Sequence, residues 1–321
     1  MNSFGRIFRI SLYGESHGTE IGVIIDGCPP GINLTEKDFI KDIERRKSGI
    51  VGTTKRTESD KPIIKSGVYK NKTTGAPIMI SFKNENQKSE DYEFDGFFRP
   101  GHADFTANKK YKGFNDYRGG GHFSGRLSLP VVAAGIVAKK IIPEINITAK
   151  IEEIGGQKNY IKLIEKTIKE KDSIGGIISC TVKNIPAGLG EPFFNSLESV
   201  ISAGLFSIPG IKAVEFGAGI NLSKMKGSEF NDVFIDTSGK TLTNNAGGIN
   251  GGISNGNDIF FKVHIRPSSS IGKTLKTYNF KTNKMQNFSV KGRHDACFAL
   301  RLPPVVEAVT AIVIADFWMG G

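Results

Sequence analysis

The chain has 321 residues and a hydrophobic content of 38%, enough apolar material to bury a core and too much for the disordered and fibrous classes. Its 43 basic residues outnumber 32 acidic ones, a formal charge of +11 that attracts phosphates, carboxylates, nucleic acid or an anionic membrane alike and chooses none of them. Three cysteines, Cys28, Cys180 and Cys297, show no CxxC spacing, so neither a disulfide framework nor a zinc site is supported and a reducing cytoplasm is expected.

Phe8, Ile10 and Leu12 alternate with Arg9 and Ser11, the two-residue period of a half-buried strand. Ile21 to Ile25 follows after Gly14-Glu15-Ser16-His17-Gly18, and the pair predicts a hairpin. Arg6 and Arg9 interrupt any signal-peptide core. Thr35 is a suitable N-cap for a helix with Phe39, Ile40 and Ile43 on its buried face. Arg45, Arg46 and Lys47 then occupy the last turn, where cations favour the negative helix end. Strands are expected at 63–69 and 77–82, an irregular charged loop at 84–98, and a helix at 129–142 behind the glycine-rich segment 119–125. Strand and helix then alternate at 145–154, 160–169, 174–182 and 196–206. Ile259, Phe261, Val263 and Ile265 share one strand face against Lys262, His264 and Arg266. Pro303-Pro304 opens a last helix through Trp318, since proline suits a first turn. The apolar run it contains carries Glu307 and Asp316 and is too short to span a bilayer. Paired short strands among helices, without regular βαβ spacing, favour an α+β layered fold over a doubly wound one.

Chemistry concentrates beside glycine. His17, His102, His122 and His294 all lie in glycine-containing turns. A lone loop histidine is ordinarily just solvated, but four beside glycines point to backbone closely approached by a ligand. The stretches 117–126 and 244–256 offer N–H groups that can cradle an anion. Read alone, each is equally a flexible loop, and neither fits GxxxxGK[ST] or a Rossmann GxGxxG in context. Arg46, Arg99, Arg126 and Arg293 each stand within two or three residues of a glycine or histidine motif. Guanidinium forks there suit phosphate and carboxylate, whereas the same arginines spread evenly would mean only solubility.

Together, Gly14-Glu15-Ser16-His17-Gly18, Arg99-Pro100-Gly101-His102-Ala103-Asp104, Asp116-Tyr117-Arg118-Gly119-Gly120-Gly121 and Gly292-Arg293-His294-Asp295-Ala296-Cys297 resemble the chorismate synthase family. Supporting blocks such as Asp26-Gly27-Cys28-Pro29-Pro30-Gly31 and Ala246 to Ser254 follow in the family's order. The resemblance implies one domain over residues 1–321, a β-α-β sandwich with helices layered between antiparallel sheets, and a homotetramer. It implies 1,4-anti elimination of phosphate from 5-enolpyruvylshikimate 3-phosphate to chorismate, in the shikimate pathway. Reduced FMN is required without net redox change.

By the same resemblance, His102 is the general acid at the leaving phosphate, His17 serves the reduced flavin near N1, and Asp295 acts with the flavin N5 on the ring proton. Arg46, Arg99, Ser124, Gly125, Arg126 and Arg293 hold substrate. His122, Phe123, Ser124, Gly251, Arg266, Pro267, Ser268, Ser269, Ser270 and Arg293 hold FMN, with Arg266 to Ser270 as a phosphate hook of one cation and three hydroxyls. Many members carry Arg-Ser-Ser where this chain has His122-Phe123-Ser124, and lysine in place of Arg266. No dinucleotide fingerprint is visible, so NADPH is not expected to reduce the flavin here and an external reductase is. The rival reading is a basic nucleic-acid-binding protein, for which +11 is the only argument, since no zinc finger, RNP motif or helix-turn-helix stands out. Neither nucleic acid nor membrane is expected as a partner.

Overall fold

The computed structural model describes residues 2–54, 58–85, 92, 94–290, 292 and 294–320. The first sheet contains β1 (Ser3–Phe4), β2 (Arg9–Gly14), β3 (Glu20–Asp26) and β4 (Ile63–Ser66). After a small ribbon of β5 (Val68–Tyr69) and β6 (Lys72–Thr73), it is completed by β7 (Ile78–Lys83). The order is β1-β2-β3-β7-β4, antiparallel throughout. β2 and β3 form the expected hairpin, with Leu12 opposite Val23 and Gly14 opposite Ile21. Ile21, Val23 and Ile25 pair with Phe82, Ile80 and Ile78, and all six side chains are fully buried. Burying each contributes roughly 1.5–3 kcal/mol.

The second sheet contains β8 (Asn146–Ile154), β9 (Gly176–Lys183) and β10 (Ile211–Phe216). A short ribbon of β11 (Ile249–Asn250) and β12 (Ile253–Ser254) leads to its fourth strand, β13 (Ile259–Ile265), and the order is β10-β13-β9-β8, again antiparallel. The four apolar residues that alternate along β13 are buried. β14 (Leu275–Asn279) and β15 (Lys284–Phe288) form a separate hairpin.

The helices are α1 (Ile40–Arg46), α2 (Asp104–Lys110), α3 (Ser128–Ile141), α4 (Ile161–Lys169), α5 (Leu197–Phe206), α6 (Gly227–Phe230) and α7 (Pro303–Trp318) in chain order, and of these α3 and α7 lie between the sheets. α3 packs on β3 and β7, α7 packs on β8 and β9, and the two helices pack on each other. Both are therefore apolar on every side, as a helix enclosed between two sheets must be. The layered α+β architecture follows from these contacts. Among the described residues no helix is long and apolar enough to cross a membrane.

Two polar groups pin α7 in place. Asp316 accepts hydrogen bonds from the backbone N–H groups of Arg6, Ile7 and Phe8 at 2.6 to 3.0 Å. Glu307 accepts from both terminal nitrogens of Arg45, from Lys139 and from the Ala149 N–H. The two acids inside the apolar run are thus met by cations from α1 and α3 and by backbone N–H groups from β8 and the segment before β2, which is the condition for burying them.

Local details depart from the sequence reading. Ile40 is 52% exposed while Phe39 and Ile43 are buried, because four residues return to the same helix face and one residue turns away by about 100°. The strand expected at 63–69 is interrupted at Gly67, with β4 and β5 on either side. β10 and the β14–β15 hairpin lie where no element was expected, their short lysine- and asparagine-containing segments giving little alternation. Part of the expected 84–98 loop lies outside the described residues.

α3 and α7 meet at Gly135, where a Cβ would collide with the backbone and Cβ of Ala308. Gly135→Ala should therefore separate the helices and lower stability by about 1–3 kcal/mol, in spite of alanine's better helix propensity. A lower urea midpoint with unchanged slope is the expected result. An unchanged midpoint would mean that the crossing does not set the layer spacing.

Candidate active site

A cavity of about 790 Å³ opens where the loops from both sheets converge on the starts of α2 and α3. It continues into a second lobe of about 720 Å³, and Arg46, Gly119, Ser124, Gly125, Asp295 and Arg301 are among the residues common to both. The larger lobe is lined by five cations, Arg46, Arg99, Lys212, Arg266 and Arg301, against one carboxylate, Asp295. That imbalance among the described residues suits a ligand with several negative charges. Its opposite wall is apolar, formed by Phe206, Ile208, Pro209, Phe298 and Leu302.

The glycine-rich loop forms the hinge between the lobes. Gly119, Gly120 and Gly121 all have positive φ, 60°, 82° and 53°, and a Cβ on Gly119 would strike the His17 ring. Ser124 then accepts from the Arg126 N–H at 3.3 Å and starts the helical turns that run into α3. The α3 N-terminus adds its partial positive charge to this end of the cavity.

Each arginine is fixed differently. Arg46, at the end of α1, is 2% exposed, with Nε donating to Ser128 Oγ at 3.0 Å and Nη2 to the Gly125 carbonyl at 3.0 Å. Its Nη1 makes no hydrogen bond among the described residues and lies 3.6 Å from Asp60. Burial, with Arg301 and Arg126 nearby, pulls this guanidinium down to about 9, against the opposing pull of Asp60 and Asp295. Arg126 is engaged on all sides by Asp60, Asn84 Oδ1 and the Lys83 carbonyl. Burial alone would raise the Asp60 carboxyl, but Arg126 and Arg46 outweigh it and hold it below the usual range.

Arg99 grips Asp104 with Nε and Nη2, both at 2.7 Å, and donates from Nη1 to Ser270 Oγ at 3.0 Å. Asp104 also takes His102 Nδ1 at 2.6 Å. With the proton on Nδ1 directed to this carboxylate, Nε2 is left as the exchangeable position. Burial would raise Asp104, yet Arg99 and His102 hold it far below its ordinary value. His102 itself is pushed down, first by burial and further by Arg99 and Arg266, with Asp104 opposing.

Asp295 accepts from the Thr54 N–H at 2.6 Å and from Arg301 at 3.1 Å. Arg301 also donates to the Arg46 carbonyl at 3.0 Å, so three functional segments are tied to one guanidinium. Arg266, Ser268, Ser269 and Ser270 line the larger lobe beyond β13, and the Ser268 carbonyl accepts from Ser173 at 2.6 Å. A cation with three hydroxyls beside an apolar wall has the donor set and shape to hold a flat, phosphate-bearing cofactor.

Of the residues singled out by sequence, the two lobes bring together Arg46, Arg99, His102, Phe123, Ser124, Gly125, Arg126, Arg266, Ser268, Ser269, Ser270 and Asp295. His17 is buried edge-on to Tyr92, behind Gly119 and off the cavity wall. His122 is turned outward, its Nε2 3.0 Å from Asn2 and its Nδ1 3.2 Å from the Gly14 carbonyl. Pro267 is outside the lining, and Gly251 sits in the turn between β11 and β12 with nothing near its Cβ position. Arg293 lies outside the described residues. Sequence reasoning passed over Asp60, Arg301 and the 206–212 wall; Asp104 stood in a quoted motif without a role.

The His102 geometry carries a prediction. Its NMR titration midpoint should fall below the ordinary imidazole value of about 6.5 and lower still in Asp104→Asn. Saturating inorganic phosphate should move it up. A wild-type midpoint at or above the ordinary value would contradict the buried arrangement described.

A family model described as chorismate synthase matches residues 8–319. A protein named chorismate synthase from Chitinophaga pinensis is 57% identical, covering 99% of this chain and 97% of its own. One of the same name from Cytophaga hutchinsonii is 42% identical, with 99% and 97% covered. A solved structure titled as the crystal structure of chorismate synthase superimposes with a TM-score of 0.75 at 25% identity, covering 98% of this chain and 93% of the other.

Proposed function

The chain belongs to the chorismate synthase family, carbon–oxygen lyases, and from that premise we propose that it converts 5-enolpyruvylshikimate 3-phosphate to chorismate and phosphate in the shikimate pathway. The observation carrying this reading is the joint lining of one cavity by Arg46, Arg99, His102 and Asp295, with the Arg266-to-Ser270 hook beside an apolar wall. The elimination breaks the ring C–O bond to phosphate and a ring C–H bond, forms one C=C bond, and sends the proton to a base. Atoms and electrons balance without an oxidant.

Arg266 with Ser268, Ser269 and Ser270 suits an FMN phosphate, and the wall of Phe206, Ile208, Pro209, Phe298 and Leu302 suits its ring system. Reduced FMN, when bound, supplies transient electron density to the breaking C–O bond with no net redox change. The residues do the remaining work. Arg46 adds positive charge at the wall of the cavity, and Arg99 adds charge while holding Asp104 in line with His102. Because burial depresses His102, it meets substrate uncharged at neutral pH. A phosphate dianion beside Nε2 then favours the imidazolium, so the acid forms where the leaving group needs a proton. Asp295, anchored by Thr54 and Arg301, is the carboxylate assigned to the ring proton. The role of His17 at the flavin follows from family membership, since the ring lies behind Gly119 and off this wall.

Homotetramer formation is part of the same reading. Phe193 and Phe194 are 85% and 93% exposed, and an apolar surface of that kind is characteristic of a protein interface. The Gly251 turn adjoins this region through the Gly190–Ile253 bridge. Three buried free cysteines suit a reducing cytoplasm, and electrons for the flavin come from a separate reductase or another external source.

His102→Ala and Asp295→Ala should each lose at least about a hundredfold in turnover while retaining FMN binding, measured by phosphate release with chemically reduced FMN. Normal rates in both would overturn these roles. NADPH alone should not support turnover. Steep, salt-dependent DNA affinity without phosphate release would favour the nucleic-acid reading instead.

A further inference from the structure

Asp60 is a buried carboxylate that the elimination does not use. It is 4% exposed, pairs with Arg126, and faces the Nη1 of Arg46 across 3.6 Å. Its backbone is in the left-handed region at φ 48°, an arrangement that asparagine, aspartate and glycine tolerate better than other residues. A non-glycine residue held there by surrounding structure marks a position with a local task. Two guanidinium groups in one low-dielectric pocket repel each other, and a carboxylate between them removes that repulsion.

The geometry points to Asp60 as a positioning residue for substrate, which holds Arg126 and Arg46 side by side at the wall of the cavity that both line. The groups facing Arg46 come from four segments: Arg301 after Phe298, Arg126 before α3, Asp295 beside the 292–297 turn, and Asp60 itself. Lys47, Glu58 and His294 line the same lobe. Of the two carboxylates acting on Arg46, Asp295 already accepts from Arg301 and the Thr54 N–H. Asp60 pairs with Arg126 and lies 3.6 Å from Arg46, so it reaches both guanidinium groups, with Lys47 adding its charge. Without Asp60, two like-charged guanidinium groups would face each other in a buried pocket, and their side-by-side arrangement at the cavity would be lost.

This inference rests on the reading of the cavity as a site for a phosphorylated carboxylate. It can be tested with the full-length protein loaded with oxidised FMN, using calorimetric titration of 5-enolpyruvylshikimate 3-phosphate together with steady-state kinetics. Asp60→Asn is isosteric and suits the backbone, and Asp60→Gly provides a second variant if the first does not fold. Both should raise substrate Kd and KM at least about tenfold and leave kcat within about threefold. FMN affinity should be unchanged. If wild-type protein does not bind the enolpyruvyl phosphate, the functional reading fails. If wild type binds it and both variants bind equally well, or lose kcat and KM together with FMN affinity, the positioning role fails.

Discussion

The Glu307 carboxylate, buried in the second turn of α7, makes the interaction on which the remaining geometry depends. A helix enclosed by two sheets has no wet face on which to leave a charge, so Glu307 must be neutralised by groups reaching in from elsewhere. Burial would raise its carboxyl, yet hydrogen bonding by Arg45 and the charge of Lys139 hold it below the ordinary range. Those partners sit on α1 and α3, and the Ala149 N–H adds β8. One carboxylate thus ties together both sheets' helical filling.

The site inherits this arrangement through a single peptide bond. Arg45 is fixed on Glu307, so the next residue, Arg46, leaves α1 in another direction and enters the cavity between Ser128 and Gly125. Its position is set by the core and its charge by the site. Arg301 repeats the pattern from the other side: it follows the turn into α7, takes the Arg46 carbonyl, and holds Asp295. Core packing and the spacing of the cavity wall are therefore coupled, and a change that shifts α1 against α7 would be felt at the Arg46 guanidinium.

What was legible in the sequence follows from range. Strong local patterns such as the β13 alternation and the Pro303-Pro304 helix start are properties of neighbouring residues, and both elements are present. The glycine-histidine motifs likewise marked Arg99, His102, Ser124 and Asp295, all on the cavity. Asp60 carries no such flag: it is an ordinary aspartate in a charged segment until folding sets it between two arginines from positions 46 and 126. Glu307 and Asp316 looked only like interruptions of an apolar run. Their partners lie 158 to 310 residues away, beyond any periodicity. The apolar wall at 206–212 was hidden for the opposite reason, since residues of that kind also fill cores.

The net charge acquires its meaning at this scale. A surplus of +11 spread over a convex surface would recruit polyanions broadly, and its field would be screened within about 10 Å at ordinary ionic strength. Here the deeply buried guanidinium groups of Arg46, Arg99 and Arg126 turn inward to the cleft and its supporting shell, each below 10% exposed. Charges held in a low-dielectric concavity act strongly at short range and are shielded little by salt. Arg46 and Arg99, held at the cavity wall, reach a small multivalent anion that enters the cavity far better than an extended polyanion lying across the surface.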